Sequence, residues 1–77
     1  MLTGRIKWFN SEKRFGFIIC DDGAPDVFLY LDHWIPEGTE PLQGQRVEFE
    51  TMVDRKGKIR AKHAWPEFAS TTLRHKQ

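Results

Sequence analysis

The chain has 77 residues, 39% of them hydrophobic and 30% charged, with a formal net charge of +1. That length allows one domain, near the small end of what folds without staples, and a single cysteine, Cys20, excludes an internal disulfide framework. No stretch approaches the roughly 18 apolar residues of a membrane span, and a charge this close to zero does not by itself announce a polyanionic partner. The first residues, Met-Leu-Thr-Gly-Arg, lack the apolar centre of a secretory signal. With a free thiol, the expected location is the cytoplasm.

Arg5 to Asn10 reads as a first strand, and the polar Ser11-Glu12-Lys13-Arg14 as a hairpin connection. Phe15 to Cys20 is a second strand. Asp21 to Asp26 is a cluster of turn residues in which Asp22-Gly23 supplies a positive φ. Val27 to Leu31 is a third strand. From Asp32 to Gly44, Pro36, Gly38, Pro41 and Gly44 break any regular element, so a long loop is predicted, with a short helical turn over Asp32–Ile35. Gln45 to Val53 returns to alternation, with Val47, Phe49, Thr51 and Val53 on one side and Arg46, Glu48 and Glu50 on the other. Arg55-Lys56-Gly57 is a turn. Ile59 to Trp65 is a fifth strand, in which Ile59, Ala61, His63 and Trp65 alternate with Lys58, Arg60 and Lys62. Pro66 stops it. Five short strands, one long connection and no convincing helix predict an all-β fold, a small antiparallel Greek-key barrel of the OB type, over residues 1–66. Residues 67–77 have no periodicity and are expected to form a flexible tail, with Trp65 and Phe68 tacking its start to the barrel.

Side chains on a strand alternate between faces. Phe15 and Phe17 therefore share one face, opposite Gly16, Ile18 and Cys20; Phe28 and Tyr30 share one face, opposite Val27, Leu29 and Leu31. A chain this short cannot bury both faces, and branched aliphatics specify a small core better. The aromatics are thus expected on the open side, where flat rings beside Lys and Arg suit stacked, unpaired bases. The ordinary alternative is core packing, since aromatics are usually buried; it would turn Ile18, Val27 and Leu29 outward. Parity places Trp8 with Ile6, which belongs inside, so Trp8 reads as a partly buried ring at a barrel edge. Phe9 reads as structural. Lys7 and Lys13, beside the rings, fit a backbone-phosphate role. Lys58, Arg60 and Lys62 share a face that serves equally as a solvated edge or a ligand contact. Basic residues gather before residue 19 and after residue 54, with acid between; a barrel can bring the two ends together, or the charges simply solvate the outside.

Other chemistries find little support. His33, His63 and His75 are scattered, with no spacing for a metal, and no cofactor is expected. No nucleophile has a credible base nearby, so the chain is not read as an enzyme. Cys20, on the inward parity, reads as a small core hydrophobe.

The stretch from Gly4 to Ile18, containing Lys7-Trp8-Phe9-Asn10 and Lys13-Arg14-Phe15-Gly16-Phe17-Ile18, closely resembles the cold-shock domain family and its first RNP-type motif. Val27-Phe28-Leu29-Tyr30-Leu31 is similar to the second such motif, Gly44 to Phe49 to the start of the family's fourth strand, and Lys56 to Ala61 to its last hairpin. The resemblance implies an OB-type barrel that binds single-stranded RNA or DNA without catalysis, often as an RNA chaperone. Position by position it implies contacts at Lys7, Trp8, Lys13, Phe15, Phe17, Phe28 and Tyr30, with Asn10 as a donor to a base edge. Three departures stand out. Arg14 replaces a glycine, which puts strain on a positive φ or adds a phosphate or stacking contact. Tyr30 replaces a histidine, and Leu31 a phenylalanine. Thr39 falls about where the family often has another ring, so Trp34 either supplies that ring or plugs the core.

The expected partner is single-stranded nucleic acid, with neither a membrane nor a small-molecule substrate, met by a monomer or a weak strand-exchanged dimer. The binding set is Lys7, Trp8, Asn10, Lys13, Arg14, Phe15, Phe17, Phe28, Tyr30, Trp34 and Arg60. The rival reading, which near-neutral charge favours, is a protein-interaction module whose aromatic patch takes an extended or Pro-rich peptide.

Overall fold

Inward-pointing apolar side chains from every strand make the core: the aliphatics Ile6, Ile18, Val27, Leu29 and Val47 and the ring of Phe49, with Trp34 added from the loop and Cys20, Ala61 and Ala64 filling smaller spaces. The computed structural model describes residues 2–67. Its strands are β1 (Leu2–Asn10), β2 (Phe15–Cys20), β3 (Val27–Tyr30), β4 (Arg46–Val53) and β5 (Ile59–Pro66), with a 3-10 turn at Leu31–His33. They close into a barrel in the order β1-β2-β3-β5-β4, and β4 returns to pair with β1. This is the expected OB-type architecture. Four seams are antiparallel; the fifth, β3 against β5, runs parallel through Phe28 opposite Arg60. Among the described residues no helix is long and apolar enough to cross a membrane.

Most predicted strands stand with small shifts. β1 begins at Leu2 rather than Arg5 because Leu2 to Arg5 pair with Phe49 to Arg46 of β4. β3 ends at Tyr30, and Leu31 opens the 3-10 turn, packed against the core. The β4–β5 turn is held by the Asp54 carboxylate, which accepts from the backbone N–H groups of Lys56 and Lys58 at 2.9 and 3.0 Å. Those bonds, that of Lys58 first, hold the Asp54 carboxyl below its usual range. The expected tail lies outside the described residues from 68 onward, as does the Phe68 contact; Glu67 is described, and its carboxylate lies 3.2 Å from Arg46.

Strict alternation fails in β5. Glu50 faces His63, but Thr51 faces Ala61, so Lys62 is an extra residue. The bulge turns Ala64 inward, opposite Phe49, where alternation had placed His63, which is exposed. Thr51, Val53 and Ile59, which alternation groups with Val47, Phe49 and Ala61, are nevertheless exposed. Glu48, on the side opposite Val47 and Phe49 by alternation, is also buried, and the Trp65 Nε1–H donates to its Oε1 at 2.9 Å. The indole covers a carboxylate that would otherwise be costly to remove from water.

Close approach fixes the glycine at the centre of the sheet. A Cβ on Gly16 would run into the Trp8 carbonyl oxygen and the Phe9 Cα across the β1–β2 seam. Arg14 has φ 63°, the left-handed region that a side chain normally avoids. It is held there by its own N–H donating to the Asn10 carbonyl at 2.8 Å and by its carbonyl accepting from Leu31 N–H at 2.9 Å. Burial, with Asp22 and Asp26 adding to it, pushes the Cys20 thiol up, so this thiol stays protonated as the core hydrophobe expected.

Candidate nucleic-acid interface

The outer face of β1–β2–β3 carries the aromatic residues in two rows set by strand register. Trp8 lies opposite Phe17, Phe17 opposite Phe28, and Phe28 opposite Arg60, a line across four strands. Asn10, Phe15 and Tyr30 form the second line. Phe15, Phe17 and Phe28 are half-buried, while Trp8 and Tyr30 are 37% and 41% exposed. The rings face water while the aliphatics fill the barrel, which is the orientation that alternation predicts for β2 and β3.

Trp8 reaches this face because of a bulge in β1. Ile6 is opposite Ile18, but Trp8 is opposite Phe17, so Lys7 is an extra residue and Trp8 changes side. Its ring then meets Phe15 and Phe17 at centroid distances of 5.5 and 5.2 Å, both edge-to-face. Phe15 and Phe28 stack at 5.0 Å and 8°, whereas Phe17–Phe28 and Phe28–Tyr30 meet edge-on at 5.3 and 4.6 Å. Mutual packing of this kind holds each ring nearly in place, so little side-chain freedom remains to be lost when a base arrives.

Charged groups rim the rings. Lys7 Nζ lies 2.9 Å from Asp26 and Arg14 Nη2 lies 2.9 Å from Asp32, all four side chains substantially exposed. Lys13 is exposed on the β1–β2 turn, where its backbone N–H donates to Asn10 Oδ1 at 2.9 Å. The Asn10 oxygen is thus committed to the turn, and a base edge would meet its Nδ2 amine. Arg60 puts its guanidinium carbon 5.7 Å from the Tyr30 ring centroid.

Trp34 does not belong to this face. It is 3% exposed, bridges to Ala64 of β5, and donates from Nε1 to Thr39 Oγ1 at 3.0 Å. The 3-10 turn swings it under the barrel wall, so of the two readings left open for it, the plug is the one found. Leu31, in the position of the family's phenylalanine, packs on the core. His33 is the ring that sequence reasoning missed, 6.4 Å from Tyr30. Its spacing of three from Tyr30 across a 3-10 turn was the available signal, because side chains at i and i+3 eclipse there. Below the platform, a groove of about 800 Å³ opens between the Asp22–Asp26 loop and the β4–β5 hairpin, bordered by Phe17, Phe28, Tyr30 and Arg60.

The model of the 'Cold-shock' DNA-binding domain matches residues 2–66. Similar proteins include the cold shock protein ScoF of Streptomyces coelicolor, 48% identical over 58 residues, which cover 74% of this chain and 87% of that one. The probable cold shock protein y4cH of Sinorhizobium fredii is 46% identical over 63 residues, 79% and 91% of the two chains. The cold shock-like protein CspE of Escherichia coli is 46% identical over 57 residues, 73% and 83% of the two. A barrel of this order, a ring-bearing outer face on its first three strands, and a match spanning nearly every described residue agree: the chain belongs to the cold-shock domain family.

Proposed function

We propose that this protein binds single-stranded RNA or DNA by stacking unpaired bases on the outer face of β1–β3, without catalysis, and serves as a cytoplasmic RNA chaperone. The observation that carries the reading is the Trp8–Phe17–Phe28 row, with rings open to water and spaced by strand register. Each base stacked on an aromatic ring contributes roughly 1–3 kcal/mol and does so with little regard to sequence. Lys7, Lys13 and Arg14 contact backbone phosphates, and Asn10 offers an amide to a base edge. Holding a strand open disfavours its hairpins by mass action.

The Lys7–Asp26 and Arg14–Asp32 pairs favour a second reading, an extended peptide laid across the same rings, because they spend positive charge that phosphates would use. A thymidine heptamer separates the two. Titrated at low and high salt, it quenches tryptophan emission in a salt-sensitive way if the first reading holds, and Phe15→Ala or Phe28→Ala weakens that quenching. Absence of quenching at low salt leaves the peptide reading.

A further inference from the structure

The geometry points to Arg60 as a base-reading residue that gives the platform a preference for guanine at the nucleotide seated on Phe28 and Tyr30. The inference rests on the strand-binding reading above and deepens it. Arg60 ends the row Trp8–Phe17–Phe28, occupying on β5 the place where a fourth ring would stand. Its guanidinium sits 5.7 Å from the centre of Tyr30, so a base stacked beside that ring brings an edge to a planar, multiple donor.

Two features set Arg60 apart from Lys7 and Arg14. Lys7 and Arg14 are each engaged by a carboxylate, whereas Arg60 takes part in no ion pair among the described residues. Its Nε is buried and finds no hydrogen-bond partner. A buried donor left unpaired is unfavourable, so the side chain gains by turning toward an acceptor delivered by a ligand. The groove that Arg60 shares with Phe28 and Tyr30 has room for a base there.

The acceptor pattern then selects the base. Guanine presents O6 and N7 side by side, matching the guanidinium fork. Adenine sets an amine beside N7, and uracil and thymine offer an isolated carbonyl on that side. Cytosine offers N3 and O2, but on a smaller ring that covers less of Phe28 and Tyr30.

The test uses the whole chain and thymidine heptamers carrying one guanosine at each position in turn, titrated by tryptophan quenching. One placement should bind about tenfold tighter than the all-thymidine heptamer. Replacing that guanosine by 7-deazaguanosine should remove the gain; a cytidine there should give less than half of it. Arg60→Met should bind all heptamers within about threefold of one another, and Arg60→Gln, a polar second variant with its fold checked by circular dichroism, should also lose the guanine preference. The proposal is overturned if no placement is favoured, if the gain survives 7-deazaguanosine, or if cytidine equals guanosine. It is equally overturned if Arg60→Met weakens every heptamer alike with a shallower salt dependence, which would assign Arg60 to phosphate. Failure of the wild type to bind any heptamer would instead remove the strand-binding reading, and this one with it.

Discussion

At the end of β1, Trp8 stands 37% exposed among phenylalanine rings; in the loop after the 3-10 turn, Trp34 is 3% exposed with its indole nitrogen bonded to Thr39. The two rings lie in regions built on different rules. Around Trp8, the backbone is a paired strand, and one extra residue, Lys7, decides which face the indole takes. Around Trp34, the backbone is a loop, and the ring itself organises the segment by filling space beside Ala64 and anchoring Thr39. The lesson is that an aromatic residue becomes a platform only where a sheet holds it from behind. Elsewhere, the same side chain is drawn into the core.

That contrast can be broken most forcefully at Trp34. Trp34→Ala should cost about 3–5 kcal/mol, a large share of the 5–15 kcal/mol typical of a whole domain, and urea unfolding followed by circular dichroism should show the midpoint fall sharply. Trp8→Ala should behave differently. Its urea midpoint should fall less than that of Trp34→Ala, since the two edge-to-face contacts removed, on Phe15 and Phe17, amount to about 1–3 kcal/mol together. Heptamer affinity, followed by anisotropy of a labelled strand, should drop by roughly 1–3 kcal/mol. If both variants lose stability alike, the distinction between platform and plug fails.

A smaller effect sharpens the picture at the turn beneath the platform. Arg14→Gly should raise stability by about 0.5–1 kcal/mol, because relief of the left-handed backbone outweighs the greater freedom of glycine in the unfolded chain. The exposed Arg14–Asp32 pair it removes contributes little. A lower urea midpoint for this variant would mean that the pair, not the backbone, governs the turn.

The smallest expected effect lies far from either tryptophan, at Asp21. Its carboxylate accepts from Arg46 at 2.7 and 2.8 Å and from Thr3 Oγ1 at 2.6 Å, and the bonds from Arg46 chiefly, then Thr3, lower it from 3.8 to about 2. A carboxyl lowered on folding stabilises the fold fully above its unfolded value of 3.8, and that contribution is lost as pH falls through about 2. Stability measured from pH 4 to pH 2 should therefore decline more gently for Asp21→Asn than for the wild type, with heptamer binding at neutral pH unchanged. An equal slope in both would show that this exposed pair carries no net stability.

Much of this was legible in the residues. The two faces of β2 and β3 follow from alternation because those strands pair residue for residue, so Phe15, Phe17, Phe28 and Tyr30 could be placed without coordinates. The side taken by Trp8 could not be read from alternation, since a bulge is a property of two strands meeting and β1 alone does not show where the register slips. The same holds for Ala64 and His63, exchanged by the bulge at Lys62. The burial of Glu48 could not be read from the sequence, because alternation says which way a side chain points but not that Trp65 will cover it. Arg60 carried one sign of its role, its parity; the parallel seam that sets it beside Phe28 joins strands far apart in the chain.

The pairing of Lys7 with Asp26 and of Arg14 with Asp32 has a consequence for how long any guest remains. A phosphate reaching either cation exchanges one anion for another, so fewer counterions are released to drive capture than at a bare basic rim. When the guest loosens, the carboxylate is already at hand to take its place. Residence of any such guest should therefore be short, with many brief contacts rather than one lasting grip.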